Sequence, residues 1–244
     1  MMNKRGELTT AQLVTIIILI VSFIIILFLI FRLNPGEQSN KEICHNSVVL
    51  RDKSIGLSGP LDCRINYLCI SGGDDCDATS TSKVEINLNS KESKNQIMEA
   101  IAKEMADCWY MFGEGKVNYG NTALIEKKVE YAICSIIEFD EKIQEKYPEI
   151  TYTEFYDYLR TTKKTSSQSY LNYLYGVNDL SSFSPQSQFK IDISQDKIST
   201  NQKYSVITGV DNNAPQSDTI LKVYIIPTSE TSSRLDEGEF ITKA

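Results

Sequence analysis

Histidine is almost missing from this chain: His45 is the only one in 244 residues. Triads built on an imidazole base therefore have a single candidate, and it adjoins Cys44. No H-E-x-x-H, G-x-S-x-G or C-x-x-C occurs, which removes the common zincin, hydrolase-elbow and dithiol-redox patterns. No N-x-S/T sequon is present either, so nothing supports an N-glycosylated surface. Basic excess is lacking as well. The net charge of −7 argues against nucleic-acid binding, which needs a cationic footprint.

Long apolar runs are also scarce, with one exception. Leu13–Phe31 is uncharged and interrupted only by Thr15 and Ser22, and Lys4 and Arg5 precede it. A helix of that length reaches roughly the 30 Å of a bilayer core. The sequence therefore predicts a cytoplasmic leader over 1–10, a membrane-spanning helix over 11–32 in contact with lipid, and a stalk over 33–43 opened by Asn34-Pro35-Gly36. The C-terminal domain is expected outside the cytoplasm, with the protein in the cell membrane.

Six cysteines follow within ninety-one residues: Cys44, Cys63, Cys69, Cys76, Cys108 and Cys134. An even, clustered set reads as up to three disulfides in an oxidising compartment. Spacings of x18, x5, x6, x31 and x25 do not resemble the close ligand pairs of a structural zinc site. No metal or cofactor is expected. Of the fifteen pairings, Cys108 with Cys134 and pairs within 44–76 are favoured.

The extracytoplasmic domain is expected over 44–226, with a cysteine-containing part (44–139) and a helix/strand part (140–226), then a mobile tail over 227–244. Val84, Ile86 and Leu88 alternate as in a strand. Ile97, Ile101, Met105, Cys108 and Phe112 recur at helical spacing, which predicts a helix over 91–112 that stops at Gly113 and Gly115. Odd positions from Val129 to Phe139 are mostly apolar and predict a strand, while 123–128 reads as helical. Helices are expected over 140–147 and 151–162, with one more turn at 170–175. Strands are expected at 189–193, 204–208 and 220–226. The sum is an α+β domain with a mainly antiparallel sheet and two to four helices.

Chemistry is sparse. Asp74, Asp75 and Asp77 beside Gly72-Gly73 lack the ligand order of a calcium loop and read as an exposed acidic turn. Gly113-Glu114-Gly115-Lys116 resembles the end of a phosphate loop, yet Tyr110 and Val117 replace its first glycine and its hydroxyl residue. Glu104, Asp107 and Glu114 are the carboxylates that hydrolysis would call on. Tyrosines crowd into 147–175, either as a binding surface or as packing between helix and sheet.

The opening MMNKRGELTTAQLV with its apolar run resembles the class III signal segment of type IV pilin-like proteins. That resemblance implies cleavage between Gly6 and Glu7 and helices that pack side by side in a filament. Ala11 stands at the fifth mature position, where bacterial pilins carry Glu. Ala106-Asp107-Cys108-Trp109 and Cys134-Ser135 with Glu138-Phe139-Asp140 look like segments of uncharacterised single-pass proteins of small-genome archaea, a resemblance that implies no activity. Three functions stay open: a surface structural or interaction protein that self-associates as a pilin-like subunit, a tethered hydrolase using carboxylates, and an accessory subunit docked on partner membrane helices of a secretion complex.

Overall fold

A computed structural model describes residues 10–32, 35–53, 61–77, 80–120, 129–186, 189–214, 219–235 and 238–242. The leader, the cleavage position at Gly6 and Glu7, and the helix expected over 123–128 lie outside the described residues. The chain divides into two units, residues 1–40 and 41–244.

In the first unit, Thr10–Arg32 forms α1. Among the described residues, no helix is long and apolar enough to cross a membrane. The membrane-spanning helix expected over 11–32 is corrected accordingly.

Residues 35–43, expected as a stalk, begin a second helix instead: α2 is Pro35–Lys53. Proline suits a first helical turn, where its missing N–H has no partner to lose.

The second unit is built on β1 (Asn66–Ser71), β2 (Ser82–Glu85), β3 (Val129–Phe139), β6 (Tyr204–Asp211) and β7 (Ile220–Pro227), in the order β2-β1-β3-β6-β7. β1 runs parallel to both β2 and β3, whereas β6 and β7 add antiparallel. β8 (Gly238–Phe240) lies parallel against the start of β3. The sheet is therefore mixed, not mainly antiparallel. The reason is connectivity: α3 (Ser93–Met111) carries the chain from β2 back across the sheet, so β3 enters in the direction of β1. Only the β6–β7 connection behaves as the short, turn-bounded strands suggested.

Of the seven α-helices described, six follow α1, against the two to four expected of the domain. α3 presents Ile97, Ile101, Met105 and Cys108 to the core, each fully buried, as the spacing required. α4 (Glu141–Lys146) and α5 (Tyr152–Thr161) each have a side-chain cap, and α5 carries a full capping box between Thr151 and Glu154. Between them β4 (Glu149–Thr151) pairs with β5 (Lys197–Ser199). α6 (Tyr170–Tyr175) ends on Gly176 with φ 76°. The stretch 189–193, expected as a strand, is not one. Lys190 has φ 47°, which breaks an extended run. After Pro227 a 3-10 turn, α7 (Thr231–Arg234) and β8 follow.

Three disulfides join Cys44 to Cys63, Cys69 to Cys76, and Cys108 to Cys134. The last ties α3 to β3 across the core. The others fasten α2 to the segment before β1, and close the loop after β1.

Candidate functional site

Because β1 and β3 are neighbours and parallel, their carboxyl ends open at the same edge of the sheet. Crevices of that kind are where open α/β sheets hold ligands. Here the edge carries a cleft of about 340 Å³ lined by Asp75, Cys76, Asp77, Glu138, Asp140 and Lys203 among others.

Asp140 organises the floor. It follows the last residue of β3 and caps α4, so its carboxylate sits where strand turns into helix. Oδ1 accepts the Ile143 N–H at 2.9 Å. Oδ2 accepts the N–H groups of Gly72 and Asp74 at 2.8 and 2.9 Å, and lies 3.0 Å from Ser71 Oγ. Burial works against this charge, but the donors from Gly72, Ile143, Asp74 and Ser71 outweigh it and hold the carboxyl below its ordinary range. The loop leaving β1 is thereby bent around one buried carboxylate, and the Cys69–Cys76 disulfide closes it.

Above the floor Asp74, Asp75, Asp77 and Glu138 each have a cation. Asp74 pairs with Lys142 at 2.7 Å and Asp75 with Lys83 at 2.9 Å. Lys203 bridges Asp77 at 2.8 Å and Glu138 at 2.7 Å, and Glu138 also accepts from Ser80 Oγ. The Asp77 and Glu138 bonds outweigh desolvation and raise the lysine's pKa, so Lys203 stays charged. The acidic turn at 74–77 is thus one wall of a compensated polar cluster. Among the described residues no group of acids, cysteines or histidine is arranged to hold a metal.

The carboxylates singled out for hydrolysis are not brought together. Glu104, 9% exposed, accepts from Asn66 Nδ2 at 3.2 Å and borders a separate groove between β2 and α3. Burial pushes its pKa up, against the opposing effects of Lys41 and Asn66. Asp107 pairs with Lys41 at 2.7 Å. Glu114 takes the Tyr173 hydroxyl and the Lys116 ammonium, both at 2.8 Å. It also has φ 55° between two positive-φ glycines, the geometry of a helix stop. His45 stacks on Tyr110 with centroids 4.5 Å apart, and its Nδ1 donates to the Tyr110 carbonyl at 2.7 Å. It has no part in the cleft.

Asp140, Glu138 and Lys203 were not anticipated from the sequence. A signal existed for Asp140, since Asp directly before a helical run is an N-cap pattern. None existed for Lys203, which arrives from a segment 63 residues further along (203 − 140). The chain matches no protein-family model, no curated protein and no solved structure.

Proposed function

We propose that this protein is a non-catalytic structural and interaction subunit of an oxidising, extracytoplasmic compartment, and that α1 is the element through which copies assemble. The observation that carries the reading is α1 itself. From Val14 to Phe28 its large apolar side chains, half-buried Leu27 excepted, are 45–64% exposed, and the run Ile16–Val21 covers every face of the helix. A helix that is apolar all round requires burial by other chains. Side-by-side packing of such helices is what the resemblance to pilin-like proteins implies.

Two features support the rest. The three disulfides suit a compartment where thiols are oxidised. Asp75, Asp77, Glu138 and Asp140 in the cleft are each engaged by a lysine or by several donors, an arrangement suited to rigidity and recognition.

A photo-reactive amino acid placed at Ile18 of the full chain in its native cells tests assembly. Adducts joining α1 to α1 of another copy are expected. Adducts confined to unrelated proteins or lipid would refute self-assembly. N-terminal sequencing of the same material should begin at Glu7.

A further inference from the structure

Among the described residues, β2 is the outermost strand of its sheet. Along a strand, successive residues turn their backbone N–H and C=O to opposite edges. Ile86, just past the end of β2, donates its N–H inward to the Ser71 carbonyl at 2.7 Å, in register with the Ile70–Val84 pairing. Ser82 and Val84, of the same parity as Ile86, therefore also turn theirs inward to β1, and Lys83 and Glu85 offer theirs outward. The Val84 side chain is 37% exposed, beside a groove of about 200 Å³ that Leu68, Ile86 and Ala100 help to line.

Val84 stands between Lys83 and Glu85, both on the opposite face of the strand. Lys83 contacts Asp75 at 2.9 Å and lies 4.0 Å from Glu85. Charges on an edge strand commonly ward off pairing. This pair does so for the antiparallel self-registers centred on either charge. Centring on Lys83 sets lysine against lysine, and centring on Glu85 sets glutamate against glutamate. Centring on Val84 sets valine against valine and places Lys83 opposite Glu85 of the second copy, twice by symmetry. Opposite charges directly across a strand pair are favourable, and like charges are not.

We propose that β2 pairs antiparallel with β2 of a second copy, with Val84 on the two-fold axis, so that two sheets become one. The contact is isologous and small, so it forms at high protein concentration. It uses no residue of α1 and stands or fails independently of assembly through that helix.

Cross-linking of the full chain tests it. In this register Lys83 and Glu85 form the hydrogen-bonded pairs and Val84 the non-hydrogen-bonded one, whose Cα atoms lie about 4.5 Å apart, within disulfide reach. Under a mild copper–phenanthroline oxidant, Val84→Cys should give a disulfide-linked dimer, while Leu50→Cys, which is 66% exposed, should not. Adding Lys83→Glu or Glu85→Lys to Val84→Cys should each lower the dimer yield about tenfold, because each creates two like-charge pairs. Combining both should restore it. The combination restores the local 83–85 pair as well, though not the contact to Asp75, so a rescued cross-link with unchanged urea midpoints is the result that reports pairing across copies. Equal cross-linking at 84 and 50, or a charge swap that fails to rescue while urea midpoints stay unchanged, would overturn the proposal and leave Lys83 and Glu85 as guards of a bare edge.

Discussion

Removing the Asp140 carboxylate should destabilise the fold more than removing any other acid of the cleft. Asp140→Ala strands the Ile143 N–H at the start of α4 and the N–H groups of Gly72 and Asp74 in the loop after β1. A lost N-cap costs about 1 kcal/mol. Hydrogen bonds to a charged group are worth about 1.5–3 kcal/mol each, less where water can replace the partner, as at the half-buried loop. The total comes to about 3–4 kcal/mol. Asp140→Asn keeps an oxygen for the cap but turns an amide donor toward two N–H groups, so it should recover only the cap. Urea unfolding followed by circular dichroism reads these differences as midpoint shifts at constant slope. The charge also has a pH signature. Because the folded-state pKa is lowered, the stabilisation is full above the unfolded carboxylate value near 3.9 and is lost as pH falls through the folded value. Wild type should lose stability over that acid window, and Asp140→Ala should lack that component. An Asp140→Asn variant within about 0.5 kcal/mol of wild type, the scatter of ordinary surface substitutions, would refute the reasoning.

Glu104→Gln should stabilise the protein at neutral pH and not at pH 4. Burial raises the Glu104 pKa, so the native state holds a proton that the unfolded chain gives up, and stability declines as pH rises through that interval; unfolding at the two pH values tests the sign. Replacing Cys108 and Cys134 together by Ala should cost about 3.5 kcal/mol from loop entropy alone, against about 2.4 kcal/mol for Cys69 and Cys76, since the first closes the longer loop. Limited phosphine reduction followed by alkylation and mass spectrometry should open Cys69–Cys76 first, because Cys76 is half-buried whereas the other two bridges have both ends in the core. Ile101→Ala should cost about 2–5 kcal/mol by leaving a cavity under α3, read as a lower urea midpoint.

What was legible in the sequence was whatever depends on local periodicity. The stripe from Ile97 to Cys108 has one orientation that buries it, and α3 adopts it. β3 was visible through Val129, Tyr131, Ile133 and Ile137, although as a central strand it buries nearly all of both faces. Strand direction was not legible, because it depends on where α3 returns the chain. The Phe189 stretch was misleading for a related reason: Phe189 is a buried aromatic anchor packed on Tyr224, and a loop can supply such an anchor as well as a strand. The cleft was half legible. Asp140 had a cap signature, while its relation to Gly72 and Lys203 exists only once parallel pairing aligns the strand ends.

The tyrosines show how the two readings of one composition are separated. A recognition surface needs rings whose hydroxyls face solvent. Tyr152, Tyr156 and Tyr175 are buried instead, and two of their hydroxyls donate to carbonyls of β7, Tyr152 to Ile225 at 2.5 Å and Tyr175 to Val223 at 2.7 Å. A buried phenol without a partner costs about 1–3 kcal/mol, so these bonds fix how α5 and α6 sit on the sheet. Phe183 closes the cluster, 4.7 Å from the Tyr156 ring and 4.6 Å from that of Tyr175. Tyr156→Phe should therefore be nearly neutral, since its hydroxyl meets only that of Tyr175 at 3.5 Å. Tyr175→Phe should cost about 1 kcal/mol, the net worth of a typical hydrogen bond, by leaving the Val223 carbonyl unmet. If the two variants unfolded at the same urea concentration, the rings would be holding the helices by packing alone.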